Sequence, residues 1–216
     1  MRTRVKICGL TRPEDVAAAV EAGADAVGLV FYPDSSRYVT PEQAAVLRRA
    51  VPAFVSVVSL FVNAPASIVH QVIDQVQPDL LQFHGDETPE QCEQYGRRYM
   101  KAFRIGAPGL QTSQQVLGAC QVYHGASAWL FDSYSAGYGG SGRSFDLSLL
   151  DAVRASCDAR AMVLAGGLNA DTVGAALRQV QPFAVDVSSG VELSGGVKSR
   201  EKMREFMMAV AQAGEE

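Results

Sequence analysis

The amino-acid sequence predicts an α/β protein, a single-domain (β/α)₈ barrel of the TIM-barrel class over residues 1–216. Short apolar runs typical of β-strands alternate with amphipathic runs typical of helices along the chain, and this alternation favours a parallel sheet. Eight such units occur in 216 residues, which fits a small barrel. A third indication is an internal similarity: VQPDLLQFHG at 76–85 and VQPFAVDVSSG at 180–190 lie four units apart, as half-barrel symmetry would place them.

Each predicted strand is a short apolar run, and the runs lie at residues 4–8, 25–31, 55–61, 79–83, 100–104, 128–132, 161–165 and 183–187. The predicted helices follow them and begin near Pro13, Pro41, Pro65, Thr88, Thr112, Asp146, Asn169 and Ser199. Thr11 and Thr40 are expected to cap the first two helices, because proline follows each closely and Asp15 or Gln43 echoes a capping box. The fifth helix, at 112–119, has the least regular pattern.

The composition excludes several classes of protein. The net charge is −4 and no basic cluster stands out, so we expect no nucleic-acid partner. The N-terminus has no apolar run of signal-peptide length, and no stretch approaches the ~18–20 apolar residues of a membrane span. No zinc or CxxC pattern links the cysteines, which are Cys8, Cys92, Cys120 and Cys157. We therefore expect a soluble cytoplasmic protein with reduced thiols, no membrane association and no metal site.

Candidate functional residues follow from the fold, because the active site of a (β/α)₈ barrel lies at the carboxyl ends of its strands. The residues at those ends, most of them polar or small, are Cys8, Phe31, Phe61, His84, Arg104, Asp132, Gly166 and Ser188. We interpret His84 as a residue that supports a catalytic side chain; the alternative is a polar side chain whose hydrogen bonds are simply satisfied within the fold.

Lys6 and Cys8 lie in the first strand and share one face, since side chains alternate along a strand. Two residue rises place them about 7 Å apart. At that distance the lysine cation would favour the thiolate and lower the pKa of the cysteine. A thiolate at the barrel mouth could act as a base or a nucleophile. The alternative for Cys8 is a small buried apolar side chain, a common role for a free cysteine.

Asp132 and Arg37 are the two charged candidates. Asp132 ends the apolar run SAWLFD, where an acid either forms an ion pair, caps an element or acts in catalysis. Arg37 lies in FYPDSSRYVT, the loop after the second strand. It is either an ordinary surface arginine or a bidentate clamp for a carboxylate, which the guanidinium fork suits.

Two glycine-rich turns at successive strand ends indicate a phosphate site. The seventh strand ends in AGGLN (165–169), with Asn169 as a candidate helix cap, and the eighth ends in DVSSG (186–190). Small residues let backbone amides approach an anion, and a helix N-terminus favours negative charge. Phosphate binding after strands seven and eight recurs in barrels of this class. The alternative is a pair of tight turns. The longest irregular segment is SYSAGYGGSGRS at 133–144, and loops of that length are usually functional.

Together these segments resemble the phosphoribosylanthranilate isomerase family. The matching pieces span nearly the whole chain in order: KICGLT (6–11), GADAVGLVF (23–31), SSRYVT (35–40), LFVNAP (60–65), LLQFHGDE (80–87), LFDS (130–133), GGSGRSFD (139–146), LAGGLN (164–169) and DVSSGVE (186–192). The resemblance implies an Amadori rearrangement in tryptophan biosynthesis that needs no cofactor. It converts N-(5-phosphoribosyl)anthranilate, a phosphosugar with an anthranilate carboxylate, to 1-(2-carboxyphenylamino)-1-deoxyribulose 5-phosphate.

The resemblance also implies roles for individual residues. The base of the family falls on Cys8, its acid on Asp132 and its carboxylate-binding arginine on Arg37. Its phosphate-binding positions fall on Gly166, Gly167, Ser188, Ser189 and Gly190. The matching pieces contain four more residues that we expect to contact the substrate, namely Lys6, His84, Gly142 and Asp186. This chemistry suits the residues, because sugar ring opening needs an acid and removal of the C2 proton needs a base.

Four positions depart from the family pattern: Ser141 replaces threonine, Leu147 tryptophan, Gly195 proline and Ser199 aspartate. Ser199 is expected to cap the last helix nevertheless. Rival functions are a pentose-phosphate epimerase, which needs a metal-ligand set, and indole-glycerol-phosphate synthase, which needs a strand-end lysine with paired glutamates. A barrel that binds a phosphosugar without turnover is a third. Both a monomer and a homodimer fit the sequence.

Overall fold

The structure is a computed structural model that describes residues 2–134, 144–156 and 161–214. Its parallel strands pair in sequence order, and the eighth closes on the first to form a barrel. The strands are β1 (Arg4–Cys8), β2 (Ala26–Val30), β3 (Ser56–Phe61), β4 (Leu80–Phe83), β5 (Tyr99–Ile105), β6 (Ala128–Ser133), β7 (Ala161–Leu164) and β8 (Ala184–Val187). All the predicted strands are confirmed, and the predicted fold class, a single-domain (β/α)₈ barrel, is confirmed with them.

A helix follows each strand, and all but α6 begin at or directly after the residue predicted to start them; α6 begins at Asp151, five residues after the predicted Asp146. The helices are α1 (Pro13–Glu21), α2 (Pro41–Arg49), α3 (Ala66–Val76), α4 (Pro89–Glu93), α5 (Ser113–Val122), α6 (Asp151–Ala155), α7 (Ala170–Val180) and α8 (Arg200–Ala213). A 3₁₀ turn at Leu147–Leu150, capped by Asp146, precedes α6. The fifth helix is longer than predicted. None of the helices in the described parts of the chain has the length and apolar character that a membrane span requires.

A small antiparallel hairpin follows β8 and was not predicted. It consists of β9 (Glu192–Ser194) and β10 (Val197–Lys198). Its strands are too short and too polar to produce the apolar runs from which the other strands were identified. The hairpin places two charged residues close to the carboxyl ends of the barrel strands.

The helix caps show where local sequence and tertiary contacts disagree. Thr40 caps α2 as predicted, in a reciprocal capping box with Gln43. The prediction for Thr11 is wrong, because Arg12 occupies the N-cap of α1 and the Thr11 hydroxyl donates to the Gly196 carbonyl oxygen at 2.6 Å. The hairpin thus supplies a partner that the local sequence does not reveal. Ser199 caps α8 as expected, since its hydroxyl accepts from the Lys202 N–H at 3.3 Å.

The barrel interior changes character along its axis. Side chains alternate between the interior and the helix layer. The lower interior is filled by an apolar cluster that includes Val58, Met100, Leu130 and Val163. Nearer the carboxyl ends several interior positions are polar, and include Lys6, Gln82, Asp132 and Asp186. The fold therefore directs its buried polar groups to one end.

The internal sequence similarity corresponds to a repeated structure. Helices α3 and α7 end at Val76 and Val180, and the next residues, Gln77 and Gln181, both take the left-handed conformation with φ of 52°. Each turn leads into a strand, β4 or β8, that lies four strands from the other around the barrel. The backbone thus repeats with the half-barrel spacing that the sequence indicates.

Candidate active site

One pocket at the carboxyl ends of the strands contains most of the predicted site residues. It is lined by Cys8, Arg37, His84, Asp132, Gly166, Gly167, Asp186, Ser188 and Ser189. Two further candidates adjoin it: Lys6 contacts Asp186 from below, and Gly190 follows the serine pair. Gly142 and Ser141 lie outside the described residues, as does most of the segment 133–144.

Three strand-end candidates lie elsewhere. Phe31 and Phe61 face the helix layer and stack on each other with ring centroids 5.4 Å apart, because their strand positions have the outward parity. Arg104 pairs with Asp86 at 2.8 Å and lies over the Tyr134 ring. These three strand ends therefore contribute packing and a peripheral ion pair.

Lys6, Asp186 and Cys8 form a buried charged group at the bottom of the pocket. The Lys6 ammonium donates to the Asp186 carboxylate at 2.8 Å, and both side chains are less than 10% exposed, at 6% and 9%. Although burial acts against the charged form, Asp186 and Cys8 keep the pKa of Lys6 above its ordinary value. Lys6 therefore stays charged.

The expected lowering of the Cys8 pKa is wrong for this arrangement. Burial, the largest effect, raises the pKa of the Cys8 thiol. Lys6 acts to lower it, as predicted, but Asp186 raises it further. Lys6, which was predicted to stabilise the Cys8 thiolate, therefore also stabilises the Asp186 carboxylate. The sequence spacing predicted that Lys6 lies beside Cys8. It did not predict that Lys6 also pairs with Asp186, which lies 180 residues away.

Gly28 on β2 makes room for this group and was missed in the sequence. A Cβ added there would lie 2.7 Å from the Cys8 sulfur and 3.1 Å from Lys6 Cε. The signal was present, since a glycine inside the apolar run DAVGLVF indicates close approach of another group. Any larger residue would displace the thiol.

Asp132 and His84 meet on another side of the pocket. Asp132 Oδ2 lies 3.3 Å from His84 Nε2, without the alignment of a hydrogen bond, while Oδ1 accepts from the Ser133 N–H at 2.8 Å. The Gln82 amide nitrogen lies 3.1 Å from His84 Nδ1. This contact and the approach of Asp132 hold the ring with Nε2 toward the Asp132 carboxylate. His84 therefore lies beside the predicted acid.

Arg37 is held in a buried ion pair, unlike an ordinary surface arginine. Its Nε and Nη2 donate to the two Glu192 oxygens at 2.8 and 2.7 Å. Gly9 of the KICG motif permits this path, because a Cβ there would collide with Arg37 Cδ. Glu192 also accepts from Lys198 at 2.7 Å. Glu192 and Lys198 both lie in the hairpin after β8. Because the sequence did not predict that hairpin, it did not predict these two residues either.

The two glycine-rich turns pack directly on each other. Gly166 and Gly167 have φ of +84° and +67°, conformations that favour glycine. Asn169 caps α7 as predicted, accepting from backbone N–H groups at 2.9 and 3.0 Å. A Cβ on Gly190 would collide with the Leu168 carbonyl. The turns after β7 and β8 therefore form one surface of small residues beside the N-terminus of α7.

No group of three or more His, Cys, Asp or Glu side chains within residues 2–134, 144–156 and 161–214 is arranged to hold a metal ion. The pocket brings together an arginine, an acid, a thiol and two turns of small residues. Such a pocket suits acid–base chemistry on a small dianionic substrate.

Comparisons with known proteins agree on one family. The family model described as N-(5'phosphoribosyl)anthranilate (PRA) isomerase matches residues 5–209. An N-(5'-phosphoribosyl)anthranilate isomerase of Bordetella parapertussis is 62% identical, with 97% of this chain and 96% of the relative covered. The phosphoribosyl anthranilate isomerase structure from Thermotoga maritima superposes with a TM-score of 0.87 at 39% identity, covering 97% of this chain and 99% of that one.

A second structure, also of a phosphoribosyl anthranilate isomerase, was solved in complex with reduced 1-(o-carboxyphenylamino)-1-deoxyribulose 5-phosphate. It matches with a TM-score of 0.83 at 37% identity, covering 97% of this chain and 99% of that chain. A third, of engineered monomers, describes the Thermotoga maritima enzyme as dimeric; its TM-score is 0.83 at 36% identity, with 97% and 99% of the two chains covered.

Proposed function

The chain belongs to the N-(5'-phosphoribosyl)anthranilate isomerase family, and on that basis we propose how its own residues carry out the reaction. The protein is an isomerase of tryptophan biosynthesis that converts N-(5-phosphoribosyl)anthranilate to 1-(2-carboxyphenylamino)-1-deoxyribulose 5-phosphate. The assignment of residues rests on one observation: Cys8, Asp132, Arg37 and both glycine-rich turns line the same pocket.

Asp132 acts as the acid that opens the ribose ring. It gives a proton to the ring oxygen, the bond from that oxygen to C1 breaks, and the anthranilate nitrogen forms an iminium with C1. Its position beside His84 and the Ser133 N–H, at 3.3 and 2.8 Å, fixes the carboxyl orientation. A positioned acid of this kind contributes to rate by proton transfer in the transition state.

Cys8 acts as the base in the second step. Its thiolate removes the C2 proton, which the iminium has made acidic, and an enolamine forms. The enolamine gains a proton at C1 and loses its hydroxyl proton to give the ketone. The electrons stay within the substrate, so the step consumes no external oxidant or reductant. Lys6 supports the thiolate by its charge, and Asp186 fixes the lysine by the bond at 2.8 Å.

The two anionic ends of the substrate bind at opposite sides of this chemistry. Arg37 binds the anthranilate carboxylate, and the small residues after β7 and β8, with the N-terminus of α7, bind the phosphate. The phosphate contacts are proposed for Gly166, Gly167, Ser188, Ser189 and Gly190. Gly142, outside the described residues, is proposed as a further contact from the sequence resemblance alone.

The experiment is a fluorescence assay of the anthranilate substrate with the wild-type chain and Asp132→Asn. The amide keeps the size and polarity of the side chain but cannot give an acidic proton. We expect the variant to lose most of kcat, by a factor of about 10²–10⁴, and to bind the reduced product analogue as wild type does. A fully active Asp132→Asn enzyme would exclude Asp132 as the proton donor and make His84 the next residue to test.

We also propose that two copies associate through the amino-terminal face of the barrel. Phe54, between α2 and β3, is fully exposed and has a positive φ of 70°, so its ring is held in solvent. It stands at the rim of a cavity of about 420 Å³ lined by Val58, Met100 and Val163 among others. An exposed ring and a cavity lined in part by apolar side chains on one face suit a two-fold dimer, in which each ring enters the partner's cavity.

Light scattering of the purified chain tests this association. We expect the mass of a dimer for wild type and of a monomer for Phe54→Asp, with activity retained in both. A wild-type chain that stays monomeric at micromolar concentration would contradict the proposal. A cytoplasmic location is proposed as well, since Cys8 must be a reduced thiol to act as a base.

A further inference from the structure

We propose that Glu192 is a positioning residue for the carboxylate clamp: it fixes Arg37 so that one edge of the guanidinium faces the ring carboxylate of the substrate. The inference rests on the role proposed above for Arg37. Glu192 does not line the pocket, so its effect on the substrate passes through Arg37.

Glu192 binds one edge of the guanidinium and leaves the other for a ligand. Arg37 Nε donates to Oε1 at 2.8 Å and Nη2 donates to Oε2 at 2.7 Å. A guanidinium carries five N–H donors in a rigid fork, and this pair uses the Nε–Nη2 edge. The Nη1–Nη2 edge can then bind a second carboxylate bidentately. The two side chains are 14% and 5% exposed, so water competes little for these bonds.

Glu192 is itself fixed by Lys198. The Lys198 ammonium, 0% exposed, donates to Glu192 Oε1 at 2.7 Å. It also donates to the Ser188 carbonyl oxygen at 3.1 Å and to the Ser188 hydroxyl at 3.3 Å. Ser188 belongs to the turn assigned to the phosphate. The Glu192–Lys198 pair therefore connects the carboxylate end of the pocket to its phosphate end from behind.

The hairpin that carries Glu192 also presses on the loop that carries Arg37. A Cβ added to Gly195 would lie 2.7 Å from the Ser36 hydroxyl, and one added to Gly196 would lie 2.8 Å from the Ser36 carbonyl oxygen. Ser36 precedes Arg37 in the chain. The arginine is thus held at its backbone by the hairpin turn and at its tip by Glu192.

Two effects of opposite sign separate this role from a simple charge effect. Glu192 is an anion near a substrate anion, so by charge alone its neutralisation would tighten carboxylate binding. Positioning predicts the reverse, because a loosened arginine must be ordered when the ligand binds. In Glu192→Gln one side-chain oxygen becomes a nitrogen donor. That donor faces another donor, on Arg37 or Lys198, and the two-bond fork is broken.

The test compares two ligands on Glu192→Gln. One is the reduced product analogue, and the other is the same compound with phenyl in place of carboxyphenyl. We expect the inhibition constant of the first to rise about 10- to 100-fold, as when the support of a ligating side chain is lost in metal sites, and that of the second to change little. The KM of Glu192→Gln for the substrate should rise together with the inhibition constant of the carboxylate-bearing analogue, while kcat changes little. Asp86→Asn, which also breaks a carboxylate–arginine pair, is the matched control and should change neither constant.

Two results would overturn the inference: tighter binding of the carboxylate-bearing analogue to Glu192→Gln, or equal weakening of both analogues. Arg37→Met separates the role of Arg37 from the positioning role of Glu192. If that variant still prefers the carboxylate-bearing analogue, the proposed role of Arg37 fails. If Arg37→Met loses the preference and Glu192→Gln keeps it, only the positioning role fails. Should Glu192→Gln fold poorly, Glu192→Asp keeps the charge but cannot reach both donors, and an unchanged preference in it overturns the inference equally.

Discussion

Lys6–Asp186 inside the barrel and Lys101–Glu87 in the helix layer are both buried pairs of a lysine with a carboxylate, with N–O distances of 2.8 and 3.1 Å. Each pair acts on a neighbouring thiol, Cys8 in the first case and Cys92 in the second. Asp186 and Cys8 line the pocket, whereas the outer thiol, which belongs to α4, is fully buried. The two ion pairs are therefore nearly equal in residue type and in burial, whereas their thiols differ in access to the pocket.

The difference lies in what else each carboxylate binds. Glu87 accepts from the Asn63 and Gly85 N–H groups at 2.7 and 3.0 Å, and Lys101 donates to the Gly85 carbonyl oxygen at 2.6 Å. Those bonds fix the turn after β4. The inner lysine instead divides its charge between a carboxylate and a thiol that faces a ligand site. A lysine–carboxylate pair thus stabilises a turn in one region, and in the other it shifts the pKa of a reactive thiol.

Removing the inner thiol should have the largest effect. Cys8→Ser should lower kcat by a factor of about 10²–10⁴, the range for loss of a general base, with little change in KM. Cys92→Ser, the matched change in the outer region, should leave kcat unchanged. Steady-state rates of the two variants in the fluorescence assay measure the contrast. Near-normal kcat in Cys8→Ser would make both thiols structural.

Replacing each lysine should separate stability from turnover. Lys101→Met and Lys6→Met each leave a buried carboxylate without its cation, so each should lower the free energy of unfolding by about 3–5 kcal/mol. Only Lys6→Met should also lower kcat at a temperature where both variants are folded. Denaturant titrations and rates on the same samples provide the measurement. Equal retention of kcat would show that the inner pair is as purely structural as the outer one.

The pH dependence of alkylation should distinguish the two thiols. Burial raises the pKa of Cys92 to about 12 and raises that of Cys8 as well, and a lysine acts to lower each, Lys101 at Cys92 and Lys6 at Cys8. Of the two thiols, only Cys8 lines the pocket. A thiol below its pKa is protonated and unreactive. The rate of iodoacetamide labelling at Cys8 should therefore keep rising above pH ~8.5, the ordinary thiol pKa. In Lys6→Met the rise should move to still higher pH. Faster labelling of Cys8 at neutral pH in Lys6→Met would mean that Lys6 raises the pKa of Cys8 and does not lower it, which would contradict the prediction.

These two regions also show how far sequence reasoning extends. The barrel strands were predictable because alternation and strand-end position are local properties. The Cys8–Lys6 pair was predictable for the same reason, since both residues lie in one strand. The pKa direction of Cys8 was not, because it depends on burial and on Asp186, which lies 180 residues from Lys6 in the sequence. Gly28 could have been found from its place inside a strand.

The hairpin residues lay beyond local patterns altogether. Glu192 meets Arg37 across 155 residues of sequence, and β9 and β10 are two or three residues long. The Thr11 cap failed for a related reason, because the hairpin turn offered its hydroxyl a tertiary acceptor. Polar pairs between residues far apart in the chain produce no periodic pattern in a single sequence. Two such pairs, Lys6–Asp186 and Arg37–Glu192, belong to this site.

The smallest effect is expected at a third ion pair, Asp86–Arg104, which adjoins the outer region but is exposed. The Asp86 side chain is 64% exposed and the pair is 2.8 Å long, so its length matches that of the inner pair while its burial does not. Exposed pairs contribute about 0–1 kcal/mol to stability. Asp86→Asn should therefore change the free energy of unfolding by less than about 1 kcal/mol and leave kcat and KM unchanged. Denaturant titration at low and high salt measures it, because an exposed pair is screened by salt. A loss as large as that of Lys101→Met would mean that pairing itself, and not burial, sets the contribution of these charges.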